Sequence, residues 1–568
     1  MIIIDKIIYW DTHETILFAV EELTRLMRAA GCESKIGDQV AYTETTENHN
    51  RIILITTNGY HASVDMKKTI TVNDDGFAFV RSDKDLWIIG NEVRSILYGV
   101  YMYCRQRFGY QWIQLDKETI VKPKSPMTDK LNVHEPLFAR RGNIIETIND
   151  PDYILSLIDW GVKNGQNEYF FTFFLWDDIK SYVTPALRKR GVHVTLGGHS
   201  LSYLLKEIQK DTNGDMLKKD EKLKFFAENT YLQEKVIDKI VAICLENKVI
   251  TRISLWPEDI GIDEKNASGF LPTYIRFTEK LKSALHKEEL AVEVEYIVYN
   301  AGLSWNMLER ENQTKASDQV DVLYAYWGRD YSSAIDGKEP RQERAYVALQ
   351  DWSKETEKKR KSLTVIEYYS DHFMLSELFP PLLMRIQQDL HDYKQLPING
   401  VLNLIVPPHP KQPDRMVNYP WKWIHHLNNY MYTRISWGEE YEVIAEEYFA
   451  IFNDHNVAFY EMILELERLV SLHTKWNAQL FPARVIDPEK IQESVHAKVI
   501  CTFLDTVYER LNKWELAGIE PLLEIQMKEH DLVCAAQEMM WIYFYYLKKI
   551  VKNSSTEWAL KGGFENGF

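Results

Sequence analysis

The sequence is poor in cysteine and lacks long hydrophobic runs. Its 568 residues include 5 Cys, at positions 32, 104, 244, 501 and 534, with no CxxC pair among them. An odd and widely spaced set indicates reduced, buried thiols rather than a disulfide framework or a zinc site. The longest apolar run near the C-terminus, residues 539–547, is too short to span a bilayer.

A signal peptide and an excess of basic residues are also missing. The chain opens without the basic start and long apolar stretch of a secretion signal, so we expect a reducing cytoplasm. Lys and Arg number 67 against 83 Asp and Glu, and the formal net charge is -16. This balance repels nucleic acid and anionic membranes, so we expect neither as a partner. The oligomeric state stays open, with a homodimer among the options.

Several chemistries lack their sequence motifs. There is no P-loop, no GxGxxG after a predicted strand, no HExxH and no GxSxG. His425 and His426 are adjacent, so on a helix they point in different directions and make a poor metal pair. We therefore expect no cofactor and no metal.

The order of predicted elements indicates a multidomain α/β protein. Residues 1–125 predict a small α/β domain, which includes a helix from Val93 to Cys104 capped by Gly109 and a hairpin turning at Asn73–Gly76. Residues 138–436 alternate strands and helices and predict a (β/α)₈ TIM barrel, while 437–568 predict an all-α C-terminal domain. The eight predicted barrel strands are 140–146, 168–174, 193–196, 251–256, 291–299, 321–327, 363–369 and 400–406.

Carboxylates and aromatic rings follow several of these strands. Glu258 and Asp259 come directly after Ile253–Pro257, and Glu367 ends the apolar run that begins at Leu363. Either acid alone could cap the next helix, but barrel enzymes place their chemistry at the C-terminal ends of the strands. Two carboxylates across an aromatic pocket can cleave a glycosidic bond. The candidate substrate-binding residues are Arg141, His199, Trp256, Tyr299, Asn300, Trp327, Arg329 and Tyr369, and the reserve acids are Glu146, Asp178 and Asp330.

Three groups of residues resemble known families. Leu86–Gly90, Gly99–Tyr101 and Phe108–Trp112 are similar to the small domain that precedes the barrel in family-twenty hexosaminidases and α-glucuronidases. Gly198-His199, Leu255–Asp259 and Leu427–Tyr430 with Arg434 and Trp437 resemble domain-of-unknown-function family 4838. Bacterial members of that family include endo-β-N-acetylglucosaminidases of glycoside hydrolase family 163. The resemblance covers about residues 50 to 440, and the order Glu258-Asp259 reverses the Asp-Glu pair of family-twenty enzymes.

These observations predict a glycoside hydrolase acting on oligosaccharides, with N-acetylhexosamine-containing sugars among the candidates. Glu258 is the expected general acid, Asp259 is expected to steer it or the substrate, and Glu367 is expected to act as nucleophile or base. One alternative is an α-glucuronidase-like enzyme in which Arg141 and Arg329 grip a uronic carboxylate. The other is a catalytically silent sugar-binding protein.

Overall fold

A closed eight-stranded barrel forms the centre of the molecule. The computed structural model describes residues 4–38, 50–63, 70–82, 84–121, 131–212, 225–226, 230–257, 269–300, 305–310, 313–331, 333–335, 337, 340–371, 380–406 and 422–473. The range 380–406 contains the last barrel strand, which pairs with the first and closes the ring. All neighbouring strands of the ring are parallel.

The barrel strands confirm the predicted pattern to within a few residues. They are β9 (Arg140–Ile145), β10 (Glu168–Thr172), β11 (His193–Gly198), β12 (Arg252–Leu255), β13 (Glu293–Tyr299), β14 (Asp321–Ala325), β15 (Leu363–Asp371) and β16 (Gly400–Val406). Nearly every residue on these strands is buried, as expected when helices cover a parallel barrel from outside.

Eight strands and a first set of helices precede or surround this ring. The strands are β1 (Lys6–Tyr9), β2 (Lys35–Gly37), β3 (Arg51–Thr56), β4 (Phe77–Ser82), β5 (Asp85–Gly90), β6 (Tyr110–Gln111), β7 (Thr119–Ile120) and β8 (Asn132–His134). The helices before and within the barrel are α1 (Glu14–Ala29), α2 (Thr57–Ser63), α3 (Val93–Phe108), α4 (Pro151–Lys163), α5 (Phe173–Arg190), α6 (Leu201–Thr212), α7 (Thr230–Glu246), α8 (Phe270–Lys287), α9 (Pro340–Lys358), α10 (Leu383–Lys394) and α11 (Lys422–Trp437).

The N-terminal region is a separate α/β domain built on one sheet. The strand order is β2-β1-β3-β5-β4-β8, with α1 and α3 packed together on it. The predicted helix from Val93 is confirmed, and Gly109 ends it in the left-handed conformation with φ of 79°. The predicted hairpin at Asn73–Gly76 is wrong. β4 instead pairs antiparallel with β5 and with β8, and residues 70–72 are not in a strand.

A buried acid joins this domain to the barrel. Asp75 accepts hydrogen bonds from Arg94 of α3 at 2.7 Å, from Arg141 of β9 at 2.8 Å and from Asn167 at 2.6 Å. Burial raises the pKa of Asp75, but the two guanidinium groups outweigh it and hold that pKa well below the usual range. The turn that the sequence presented as a hairpin therefore carries an interdomain ion pair.

The region after the barrel begins with helices, as the sequence predicts. The described helices are α12 (Tyr441–Phe449), a 3₁₀ turn (Ala450–His455) and α13 (Asn456–His473). The predicted helices at 489–511 and 531–552 lie outside the described residues. Glu467 of α13 accepts hydrogen bonds from the backbone amides of Met384 at 3.2 Å and Arg385 at 3.1 Å, at the start of α10.

Charged side chains fill the lumen of the barrel at its N-terminal end. Arg140 of β9 donates to Glu168 at 2.6 Å, to Glu295 at 2.6 Å and to Thr364 at 2.8 Å. Arg252 of β12 contacts Asp321 of β14 at 2.7 Å. We call these residues the lower network: Arg140, Glu168, Arg252, Glu295, Asp321 and Thr364. The predicted strands contained them, but their mutual pairing across the lumen was not anticipated.

Candidate active site at the C-terminal rim

The lower network fixes which residues of each strand face the lumen. Side chains alternate along a strand, so residues two, four and six positions after a network residue share its face. On β12 this rule carries Arg252 through Ser254 to Trp256, and on β13 it carries Glu295 through Ile297 to Tyr299. Parallel partners in register share a face, which extends the rule to every neighbouring strand. The C-terminal ends of the lumen-facing rows form the rim.

Two of the predicted residues meet at one backbone carbonyl on the rim, and a third packs against them. His199 Nδ1 lies 2.8 Å from the oxygen of Pro257, and the Tyr299 hydroxyl donates to the same oxygen at 3.2 Å. The His199 ring contacts the rings of Trp256 at 5.2 Å and Tyr299 at 6.1 Å, measured between centroids. The ends of β11, β12 and β13 are thus tied together around Pro257. Pro257 directly precedes Glu258, which the sequence analysis predicts to be the general acid.

The floor beneath this carbonyl is aromatic. The Trp256 indole donates to Ser254 Oγ at 3.0 Å and meets the edge of Phe170 at 5.2 Å between centroids. Both contacts are to lumen residues of β12 and β10, so Trp256 lies inside the barrel, where it is 4% exposed. An apolar floor with a few polar groups above it is typical of pockets that bind small ligands.

Asn300 and Trp327 extend the rim to β14. The Asn300 side chain donates to the Trp327 carbonyl at 2.6 Å and accepts from the Trp327 amide at 2.8 Å. Asn300 therefore positions the end of β14, and its amide is committed to that backbone. Trp327, two residues after the end of β14, is partly exposed. A partly exposed indole at a barrel rim can stack on a sugar ring.

Glu146 occupies the rim above β9. A Cβ atom at Gly198 would lie 3.2 Å from Glu146 Oε1, and Gly198 has a φ of +65°. The carboxylate therefore extends across β10 toward the end of β11, where the left-handed glycine leaves room for it. The sequence had placed Glu146 only among the reserve acids. Asp178 accepts a hydrogen bond from Asn149 at 3.0 Å on the exposed side of α5, and Asp330 follows the turn after β14.

Glu258 and Asp259, the predicted acid pair, lie outside the described residues. The chain is described up to Pro257, whose carbonyl carbon is bonded to the Glu258 nitrogen. Their role stays a prediction, and so does the carboxyl separation between Glu258 and Glu367.

Glu367 is described, and its position does not match the predicted role. It pairs in register with Asn403, whose amide donates to Asn429 of α11 outside the barrel at 3.0 Å. Glu367 therefore faces the helices, where it accepts from Arg329 at 2.7 Å, from Tyr331 at 2.5 Å and from the Tyr393 hydroxyl of α10. Its exposed fraction is 2%, the same as that of Asp371 at the end of β15, so burial does not distinguish these two carboxylates. A carboxylate held on this side by three donors cannot reach a sugar in the lumen.

Arg329 and Tyr369 belong to the same buried cluster behind the seventh strand. Arg329 also donates to Asp389 of α10 at 2.6 Å, and the Tyr369 hydroxyl donates to Asp389 at 3.1 Å. Burial alone would lower the pKa of Arg329, but Asp389 and Glu367 raise it well above its usual value. Burial raises the pKa of Asp389, with Arg329 acting in the opposite direction. These residues brace β15 against α10 and do not line the lumen, contrary to the sequence interpretation.

Arg141 is likewise placed on the outer face, one residue from Arg140 of the lower network. It is fully buried against Asp75 and the Trp437 ring, with its Cζ 5.0 Å from the ring centroid. Arg141 joins the two domains, whereas Arg329 braces the seventh strand. The predicted two-arginine clamp for a uronic carboxylate is therefore not formed.

The described part of the chain offers no candidate site for a metal and no candidate membrane span. Within the residues described, no three His, Cys, Asp or Glu side chains are grouped so as to hold a metal ion. Over those same residues, none of the helices combines the length and hydropathy needed to cross a bilayer.

The N-terminal domain and the whole fold are similar to known carbohydrate-active proteins. Residues 2–103 match the family model described as glycosyl hydrolase family 67 N-terminus. No curated protein matches the sequence. The predicted specific relationship to domain-of-unknown-function family 4838 and glycoside hydrolase family 163 is not confirmed by these matches, whereas a resemblance to glycoside hydrolases is.

Three solved structures illustrate the similarity of the fold. A family GH115 4-O-methyl-α-glucuronidase, BtGH115A, with specificity for decorated arabinogalactans, is 13% identical over 99% of this chain and 77% of its own, with a TM-score of 0.59. A GH138 enzyme targeting pectin rhamnogalacturonan II is 13% identical over 97% of this chain and 70% of its own, with a TM-score of 0.60. CpGH84B is 13% identical over 99% and 92%, with a TM-score of 0.50. At these identities the likeness establishes the multidomain barrel architecture alone.

Proposed function

We propose that the protein is a glycoside hydrolase that cleaves oligosaccharides at the C-terminal rim of its barrel, with Glu258 as the general acid. The observation that carries this proposal is the convergence of His199 and Tyr299 on the carbonyl of Pro257, directly before Glu258. The partly exposed Trp327 offers a surface on which a sugar can stack, and the buried Trp256 ring forms the apolar floor of the rim.

Fixing Pro257 helps acid catalysis because the position of the next residue depends on it. Proton transfer to a leaving oxygen needs the acid within hydrogen-bond reach of that oxygen, and small displacements are costly in rate. Two side chains from neighbouring strands holding one carbonyl reduce the freedom of the chain at that point. The solved structures with the same architecture support the proposal, because their names describe glycoside hydrolases and a pectin-targeting enzyme.

The class of sugar is the finer part of the proposal. The similarity to a 4-O-methyl-α-glucuronidase favours an acidic sugar, while the sequence resemblance favours N-acetylhexosamine. Loss of the Arg141–Arg329 clamp weakens the α-glucuronidase alternative without changing the reaction type. We propose a cytoplasmic location, in which the substrate would be an imported oligosaccharide.

A panel of aryl glycosides tests the function directly. The full chain should release the phenol from at least one member of a set that includes aryl N-acetyl-β-hexosaminides and α-glucuronides. The double variant Glu258→Gln, Asp259→Asn, purified in parallel, controls for contaminating glycosidases and should be inactive on the same substrate. Sugar binding seen by calorimetry without any hydrolysis by the full chain would instead identify a catalytically silent sugar-binding protein.

A further inference from the structure

The seventh barrel strand contains an irregularity that changes which side chains enter the lumen. Glu367 pairs with Asn403, but Ser370 pairs with Ile405 and Asp371 with Val406. Three steps along β15 therefore match two steps along β16, so β15 holds one extra residue. A β-bulge of this kind reverses the facing of every residue beyond it, and such bulges are frequent beside active sites.

The bulge turns Asp371 into the lumen. β16 pairs with β9 without interruption from Gly400 to Ile405, and Gly400 lies against lumen residues Arg140 and Thr364. Alternation from Gly400 places Leu402, Leu404 and Val406 on the lumen face. Asp371 shares the register and hence the face of Val406. Without the extra residue, Asp371 would face the helices, as Glu367 does.

Three hydrogen bonds stabilise the bulge. The amide of Tyr368 donates to the Tyr331 hydroxyl at 3.0 Å, and the carbonyl of Tyr369 accepts from Asn428 of α11 at 3.0 Å. Asn403 donates to the Ser370 hydroxyl at 3.0 Å. Backbone groups that leave the sheet ladder in a buried strand need such partners. The cluster of Glu367, Arg329 and Tyr331 thus supports the segment that aims Asp371.

We propose that Asp371, and not Glu367, is the second carboxylate of the active site and acts as the general base. This inference rests on the proposed function. The fourth and seventh strands lie three places apart in a ring of eight, so residues at their C-terminal ends border the same lumen. A general base acts through a water molecule that lies between it and the sugar, whereas a nucleophile contacts the anomeric carbon directly, so the anomer of the product tests this role.

The reaction then balances with one water molecule consumed. Asp371 takes a proton from water as the water oxygen forms a bond to the anomeric carbon. The bond from that carbon to the glycosidic oxygen breaks, and its electron pair stays on the oxygen, which receives the proton of Glu258. Attack from the face opposite the leaving group inverts the anomeric configuration.

Paired variants of the full chain test the assignment on the substrate found in the panel. Asp371→Asn should lower kcat by about 10²–10⁴-fold, the range for losing general acid–base help, with little change in thermal stability. Glu367→Gln should lower the melting temperature and keep most of the kcat of the fraction that remains folded. The product anomer, followed by NMR, should be inverted.

Azide distinguishes a base from a residue needed only for folding. It should restore turnover of an activated aryl glycoside in Asp371→Ala, as a glycosyl azide, and should fail to do so in Glu367→Ala. Full activity of Asp371→Asn, rescue at Glu367 or Glu146 instead, or a retained anomer would each overturn the assignment while leaving the glycosidase intact. A wild-type chain that hydrolyses no glycoside would overturn the proposed function and this inference with it.

Discussion

The two ends of the barrel use polar side chains in opposite ways. In the lower network, Arg140 meets Glu168 and Glu295 and Arg252 meets Asp321, each within 2.7 Å. At the rim, several polar side chains instead hold backbone groups: His199 and Tyr299 hold Pro257, and Asn300 holds Trp327. Charge is neutralised at one end, whereas at the other polar side chains hold the backbone that directly precedes the candidate acids in the sequence.

For a carboxylate in this barrel, the position along the strand determines the surroundings more than the residue type does. Glu168 and Glu146 are both glutamates in the lumen, one at the start of a strand and one just past the end of its neighbour. Glu168 is buried against Arg140 and Arg252. Burial alone would raise the pKa of Glu168, but the two arginines hold it well below the usual range. The variants below should affect activity alone at the rim and stability alone in the lower network.

The largest effect is expected at Glu258. Glu258→Gln keeps the shape of the side chain but removes the proton, so a substrate with a poor leaving group should lose about 10²–10⁴-fold in kcat/KM. A substrate whose phenol leaves readily needs little protonation and should lose much less. Steady-state rates on a series of aryl glycosides measure this dependence. If Asp259→Asn shows it and Glu258→Gln does not, the two acids exchange roles.

Breaking the lower network should cost stability and not turnover. Arg140→Met leaves Glu168 and Glu295 buried without their shared cation, which typically costs about 3–5 kcal/mol of unfolding free energy. Urea denaturation measures the loss. A triple variant that adds Glu168→Gln and Glu295→Gln should recover part of it, because no uncompensated charge remains. A lower kcat of the folded Arg140→Met protein at saturating substrate would show that the lower network also affects catalysis, contrary to this prediction.

Outside the barrel, Glu467 should make stability depend on pH. Burial raises the pKa of Glu467 from 4.5 to about 7, although the two amide hydrogen bonds at the start of α10 act in the opposite direction. The folded state therefore holds the proton more tightly than the unfolded chain. Its contribution is fully present below pH 4.5 and is lost as the pH rises through about 7.

Glu467→Gln isolates this contribution. The wild-type free energy of unfolding, taken relative to the variant, should fall by up to about 3 kcal/mol between those pH values, since each pKa unit corresponds to about 1.4 kcal/mol. Denaturant titrations of both proteins across the range measure it. A difference that stays constant with pH would show that folding does not raise the pKa of Glu467.

The smallest effect is expected at Tyr299. Tyr299→Phe removes one of the two groups on the Pro257 carbonyl, and a single neutral hydrogen bond contributes about 0.5–1.5 kcal/mol. Because His199 still holds the carbonyl, kcat should fall by less than about tenfold and stability should change little. Tyr296→Phe, at a buried tyrosine on the outer face of the same strand, is the matched control and should leave kcat unchanged.

The sequence predicted the barrel well because its strands are short apolar runs separated by amphipathic helices. It predicted less of the site, because strands buried on both faces carry no polar alternation to distinguish lumen from exterior. Arg140 and Arg141 are neighbours with opposite roles, and only the register of β9 separates them. Glu367 was assigned to the site, and Asp371 was not considered, because nothing in the run from Leu363 reveals an extra residue. His199, Trp256 and Tyr299 were found because each directly follows or ends a strand.

The Asp75 ion pair has a consequence for how this protein can be divided. A barrel expressed without residues 1–125 would keep Arg141 and Asn167 but lose the carboxylate that binds both. Phe77, which stacks on Trp437 with 6.0 Å between centroids, would be lost with it. The seam between the domains is therefore unsuited to truncation. A chimaera that exchanges the N-terminal domain would need to supply an acid at this position to bind Arg141 and Asn167.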